Sequence, residues 1–117
     1  MHELGVVSGI IDVVLRTARE AQASRVVAVS LRIGDMRELV PEALDFAWRS
    51  LRDEHELTRG AELRIEHVSP RSACIRCGAE FDHDRLRCRC PICGSGQTLT
   101  LRGRELDIIS VEIDSPD

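Results

Sequence analysis

The sequence predicts an α+β fold, a small mixed sheet covered by two helices, with a four-cysteine module inserted between two strands. Three observations predict it. Two segments repeat apolar residues at intervals of three and four, several shorter segments alternate apolar with polar residues, and all five cysteines lie between Cys74 and Cys93. The 117 residues suffice for one domain with a small insertion and leave no room for a second domain of ordinary size.

The first helix is predicted over Leu4 to Ala21. Leu4, Val7, Ile11, Val14, Ala18 and Ala21 share one face, and Val6, Ile10 and Leu15 broaden it. From Arg25 to Ile33 the period changes to two, with Val27, Val29, Leu31 and Ile33 opposite Ala28, Ser30 and Arg32, so a half-buried strand runs to Gly34. Pro41 at a first helical position and Glu42 in the first turn start a second helix, whose buried face uses Leu44, Ala47, Trp48 and Leu51. After Gly60 a second strand runs from Ala61 to Val68, and Pro70 ends it. The cysteine segment follows. Strand-like sequence returns at Thr98 to Leu101 and at Glu105 to Ile113. The expected division is therefore an α+β body of residues 1–69 and 105–117, interrupted by a metal-binding module of residues 70–104.

Composition narrows the function. The core must be aliphatic, because Phe46, Trp48 and Phe81 are the only aromatic residues, which argues against a single-strand binder built on stacked rings. The cationic residues are sixteen Arg with no Lys, which excludes Schiff-base and phosphate-loop lysine chemistry. A net charge of −4 is the wrong sign for a protein whose main task is neutralising phosphates. That charge is unevenly placed: residues 70–104 hold seven Arg against three acids, and the remainder nine Arg against seventeen acids. There is no apolar signal segment and no stretch long enough to span a membrane, so the expected compartment is the cytoplasm, where clustered cysteines read as metal ligands rather than disulfides.

Cys74-Ile75-Arg76-Cys77-Gly78 and Cys90-Pro91-Ile92-Cys93-Gly94 are two CxxC knuckles separated by twelve residues. Two residues between thiolates let one tight turn aim both sulfurs at the same ion, and the glycine that follows tolerates the positive φ that closes the turn. Four thiolates complete a tetrahedral structural zinc site and leave no position for substrate or an activated water. A module with a single Phe buries too little apolar area to fold unaided, so the metal supplies the missing stability. Iron uses similar knuckles, but the scarcity of aromatic shielding favours zinc. Cys88 is an extra thiol. It competes with Cys90 as a ligand, and loop length favours Cys90. Arg85, Arg87 and Arg89 offset the negative charge of a four-thiolate zinc site or attract phosphate.

At the start of the chain, the Met1 amine, the His2 imidazole and the amide between them can form fused chelate rings around one cation. Such nitrogen-rich ligation suits Ni(II) or Cu(II). A dipeptide alone is a weak signal, since chain ends fray. His55 and His67 read as solvated or locally hydrogen-bonded residues, and His83, between the knuckles, as a solvated residue or an auxiliary ligand.

Together these pieces resemble the HypA/HybF family of hydrogenase nickel-insertion proteins. The resemblance is carried by Met1-His2-Glu3-Leu4, by Ile33-Gly34 ahead of Val40-Pro41-Glu42-Ala43-Leu44, by the two knuckles, and by Gly103-Arg104-Glu105-Leu106 through Ser110-Val111-Glu112-Ile113. It runs over nearly the whole chain. It departs at Gly5-Val6-Val7, where a polar start to the helix is more usual, and at Cys88. The resemblance implies a nickel metallochaperone, not an enzyme. It would bind Ni(II) as transient cargo through Met1, His2 and Glu3, hold structural Zn(II) through Cys74, Cys77, Cys90 and Cys93, and deliver nickel to the precursor of the NiFe hydrogenase large subunit. The implied partners are the GTPase HypB, that precursor and, in some bacteria, urease maturation proteins. The competing reading is a zinc-ribbon module that binds nucleic acid or an acidic protein through its arginines; it predicts salt-dependent binding and indifference to His2.

Overall fold

The computed structural model describes residues 2–116. In chain order it contains helix α1 (Glu3–Glu20), strand β1 (Arg25–Gly34), helix α2 (Pro41–Arg52) and strands β2 (Glu62–Val68), β3 (Arg71–Cys74), β4 (Glu80–Asp82), β5 (Thr98–Arg102) and β6 (Leu106–Asp114). Single 3-10 turns lie at Asp35–Arg37 and Glu56–Thr58. Two three-stranded sheets form, ordered β2-β1-β6 and β4-β3-β5, so the fold is α+β. The chain divides into two compact units: one takes the residues up to Leu31, Leu39–Ile65 and those from Ile108 on, the other Arg32–Glu38 and Glu66–Asp107.

In the first unit the apolar stripe of α1 does what its spacing predicts, with one instructive shift. Val7, Ile10, Ile11, Val14, Leu15 and Ala18 are buried, but Leu4 is 61% exposed while Glu3 is only 5% exposed. Counting back from Val7 by one full helical turn lands on Glu3, so the carboxylate takes the inward position and Leu4 turns out. The carboxylate is not wasted there, because its Oε2 accepts the Val40 amide at 2.8 Å, just ahead of Pro41 in the first turn of α2. One side chain therefore ties together the starts of the two helices, which pack against each other.

Helix α2 buries Leu44, Ala47 and Trp48. The indole, 1% exposed, needs a partner for its N–H. It donates to the Ala61 carbonyl at 2.8 Å, and Arg52 Nη1 donates to the same oxygen at 2.9 Å. Fully buried Thr58 is satisfied in the same way, donating from Oγ1 to the Arg52 carbonyl at 2.7 Å. In β1, the middle strand of its sheet, Val29, Leu31 and Ile33 are buried as the alternation predicts, and so are Val26 and Ala28 on the opposite face. The early part of this strand is thus covered on both sides, which simple alternation does not foresee.

The second unit is built on β3, which pairs antiparallel with β4 on one side and β5 on the other, setting Ser72 between Phe81 and Thr100. Residues 32–38 join this unit through the backbone. The Gly34 amide donates to the Glu105 carbonyl and the Met36 amide to the Gly103 carbonyl, each at 2.8 Å. Arg37 Nε donates to the Arg104 carbonyl at 2.7 Å, and Arg32 pairs with Glu66. The approach is so close that a Cβ on Gly34 would lie 2.0 Å from the Gly103 carbonyl oxygen, and Gly103 itself has φ +118. Only glycine at position 34 permits it.

Two glycine substitutions should move stability in opposite directions. Gly34→Ala should destabilise by about 3 kcal/mol or more, because the clashing partner is backbone. Gly9→Ala, in the middle of α1 with nothing within 4 Å of the added carbon, should stabilise by about 1 kcal/mol. Urea denaturation of the two variants beside the parent measures both shifts.

Candidate metal centre

Sulfur atoms of Cys74, Cys77, Cys90 and Cys93 all lie within 4.8 Å of one another. The backbone that brings them together repeats itself at the two knuckles. The Cys74 amide donates to the Ala79 carbonyl at 2.8 Å and the Cys90 amide to the Ser95 carbonyl at 3.0 Å; the Gly78 amide returns to the Cys74 carbonyl and the Gly94 amide to the Cys90 carbonyl, both at 2.9 Å. Gly78 and Gly94 close these turns at φ +81 and +76, values that a side chain would strain. The first cysteine of each knuckle is buried and the second exposed. Buried Cys74 and Cys90 form a small core with Phe81, against which Ala79 packs.

Amide hydrogens point at the sulfurs. The Cys77 amide lies 3.4 Å from Cys74 Sγ, and the Ile92 and Cys93 amides lie 3.4 and 3.5 Å from Cys90 Sγ. The Cys93 amide, then that of Ile92, pulls the Cys90 thiol down to about 6 against the opposing effect of burial. Cys74 is likewise drawn below the ordinary thiol range, chiefly by the Cys77 amide. At Cys77 the Ala79 amide acts downward, but hydrogen bonding to the Cys90 sulfur, then burial, holds the thiol up at about 11. The backbone amides thus favour the ionised form at Cys74 and Cys90, while the neighbouring Cys90 sulfur opposes ionisation at Cys77.

The donor set passes a geometric test for such an ion. A tetrahedral ion with sulfur bonds of about 2.3 Å needs sulfurs about 3.8 Å apart. Cys74 and Cys93 are 3.6 Å apart, Cys77 and Cys90 3.5 Å, and every pair lies within 4.8 Å, so small shifts of the sulfurs accommodate zinc. All four positions would be filled by sulfur, which fits a structural ion rather than one that binds substrate. Arg89 Nη1 donates to the Gly94 carbonyl at 3.0 Å beside the second knuckle, while Arg85 pairs with Glu38 at 3.6 Å.

Neither His2 nor Glu3 is a member of the four-sulfur cluster. Met1 lies outside the described residues. His2 is exposed and caps α1 with its backbone, its carbonyl accepting the Val6 amide at 2.8 Å. Glu3 is held down at about 2, first by the Val40 amide and then by its own, so it stays ionised through the ordinary pH range. Its anchoring role was legible only by extending the α1 stripe one turn back from Val7.

Cys88 and His83 do not belong to the four-sulfur cluster, but the structure brings them together. His83 Nε2 lies 3.6 Å from Cys88 Sγ and 2.7 Å from Ser72 Oγ. Thr98 Oγ1 is 3.1 Å from the Cys88 sulfur. Sequence spacing carries no sign of this grouping, because β3, β5 and the segment after β4 each supply part of it.

Comparison with known proteins agrees over the full length. The family described as hydrogenase/urease nickel incorporation, metallochaperone, hypA matches residues 1–113. The hydrogenase maturation factor HypA of Caldanaerobacter subterraneus subsp. tengcongensis is 31% identical over 115 residues, covering 97% of this chain and 100% of that protein. Its counterpart from Chlorobium luteolum is 37% identical over 114 residues, 97% of each chain. In three dimensions the chain is similar to the solution structure of the Ni metallochaperone HypA from Helicobacter pylori, with a TM-score of 0.71, 26% identity, and coverage of 99% of this chain and 100% of that one.

Removing one buried sulfur should empty the cluster and loosen its knuckles. Cys74→Ala should lower the metal retained through gel filtration at least about tenfold and abolish the slow hydrogen exchange of the Gly78 and Gly94 amides. Unchanged metal content with unchanged exchange would contradict a four-sulfur site.

Proposed function

The chain belongs to the HypA family of hydrogenase/urease nickel-incorporation metallochaperones, and on that premise we propose how it carries nickel. Ni(II) is held at the amino terminus by Met1, His2 and Glu3 and is delivered to the precursor of the NiFe hydrogenase large subunit, while Cys74, Cys77, Cys90 and Cys93 hold a structural zinc ion. The GTPase HypB and the precursor are the proposed partners, with urease maturation proteins as further ones, and the cytoplasm is the proposed compartment. Among the described residues no helix is long and apolar enough to cross a membrane. In this reading residues 1–69 and 105–117 form the nickel-carrying body and residues 70–104 the zinc module.

One observation carries the nickel reading: exposed His2 stands at the start of α1 directly beside a buried, ionised Glu3. A helix start is a poor place for a cation, since the macrodipole puts roughly half a positive charge there. The Glu3 carboxylate contributes a full negative charge within the same turn, more than enough to reverse that disadvantage. Its hydrogen bond to Val40 fixes where the charge sits. The amine, imidazole and backbone nitrogens bind the ion only after losing protons, so affinity falls as pH falls. The exposure of His2 also suits handover, because a recipient's ligands can reach and displace its imidazole. The zinc assignment rests on the closed set of four sulfurs and on their spacing, and its task is to hold the knuckles in one conformation.

The test compares Ni(II) titrations of three proteins: the native terminus, a terminus extended by a few residues, and His2→Ala. Even changes to groups that only hydrogen-bond a metal's ligands cost about 10–100-fold in affinity, so losing the imidazole or blocking the amine should weaken binding by at least about 100-fold. Equal affinity in all three would remove the amino-terminal site. A zinc ribbon devoted to nucleic acid would also be indifferent to both changes.

A further inference from the structure

We propose that Cys88 and His83 form a third metal site, sharing no residue with the four-sulfur cluster or the proposed amino-terminal site, that takes a borderline divalent transition ion through one thiolate and one imidazole. The span fits. An ion bound tetrahedrally with a sulfur bond of about 2.3 Å and a nitrogen bond of about 2.05 Å holds its S and N about 3.6 Å apart. Cys88 Sγ and His83 Nε2 are 3.6 Å apart.

The imidazole is oriented as a ligand would be. His83 Nδ1 lies 2.7 Å from the Asp84 carbonyl, so the proton of the neutral ring belongs on Nδ1, where it donates to that oxygen. This leaves the Nε2 lone pair facing Ser72 and Cys88, the arrangement by which backbone carbonyls fix metal-binding histidines. The ring is further held by Phe81, with centroids 5.6 Å apart. Ser72, fully buried on β3, sets its hydroxyl 2.7 Å from Nε2, and Cys88 Sγ lies 3.5 Å from the same oxygen. Thr98 on β5 brings a second hydroxyl to 3.1 Å from the sulfur. With Nδ1 protonated the Ser72 hydroxyl donates to Nε2, a hydrogen bond that an incoming ion displaces, and Thr98 Oγ1 offers a weak oxygen donor. Cys88 is in no disulfide and, like His83, is half-buried, so an ion can reach both.

Binding forms a metal–sulfur and a metal–nitrogen bond and releases the Cys88 thiol proton to solvent, one proton per ion. One thiolate and one imidazole suit zinc, cobalt or nickel better than magnesium or calcium. With two strong donors instead of four, the site should bind more weakly than the cluster and exchange its ion more readily.

The experiment uses the whole chain with the four-cysteine cluster filled by zinc and with His2→Ala, so that the outcome does not depend on the amino-terminal nickel reading. Co(II) is the probe, because a thiolate bound to it gives a near-ultraviolet charge-transfer band. The expected result is one further equivalent of cobalt with that band and no release of zinc. Cys88→Ser should abolish the band and weaken cobalt binding at least about tenfold, and His83→Gln should weaken binding about as much while the band persists. Absence of any band at saturation in the protein that keeps all five cysteines would overturn the proposal, whatever the variants do. A band that survives in Cys88→Ser, accompanied by zinc release, would also overturn it, since the cobalt would then have entered the four-cysteine cluster.

Discussion

Four sulfurs within 4.8 Å of one another are the constraint on which the second unit depends. Bringing them together concentrates negative charge in a segment whose own apolar core is only Cys74, Phe81 and Cys90, with Ala79 against it. That core is small, and in the proposed reading a divalent cation held by the four sulfurs supplies the stability it lacks. The backbone contributes as well: similar turns at the two knuckles, each closed by a glycine of positive φ, aim amide hydrogens at the Cys74 and Cys90 sulfurs. The sheet of β4, β3 and β5 then inherits its register from the knuckles, because β3 ends on Cys74.

The first unit solves a different problem. Its aliphatic helices would pack well without Glu3, and a carboxylate at a core-facing position costs stability unless its charge is hydrogen-bonded. The Val40 amide supplies that bond, and the result is a fixed negative charge at the one end of α1 where a cation would otherwise be disfavoured. In the proposed reading, packing and cargo chemistry meet in this one residue. In the family to which the chain belongs, nickel incorporation is the shared task, and this pairing gives a physical reason for an acidic third residue.

Much of this was legible in the sequence, for reasons that can be named. Periodicity located α1, α2 and β1 because each buries a stripe or face of aliphatic residues, and the CxxC spacing located the cluster because ligand geometry is local. The start of the α1 stripe was misplaced by one residue, at Leu4, because a carboxylate does not count as core until its partner is known. Strands β3 and β4, of four and three residues, are too short for alternation to reveal. The recruitment of residues 32–38 into the second unit rests on a backbone approach between Gly34 and Gly103, and the grouping of Ser72, His83, Cys88 and Thr98 rests on strand pairing; neither leaves a periodic trace. Long-range contacts of this kind are made by topology, not by composition.

In the proposed reading the chain keeps two metals apart by ligand chemistry: sulfur for the ion that holds the fold, nitrogen and oxygen for the ion that is carried. X-ray absorption on the Cys88→Ser protein, which lacks the site proposed at Cys88 and His83, loaded with one equivalent each of zinc and nickel, reads both environments in a single sample. The account predicts four sulfur neighbours at about 2.3 Å around zinc and only nitrogen or oxygen neighbours around nickel. Sulfur in the nickel shell, or nitrogen and oxygen in the zinc shell, would contradict it.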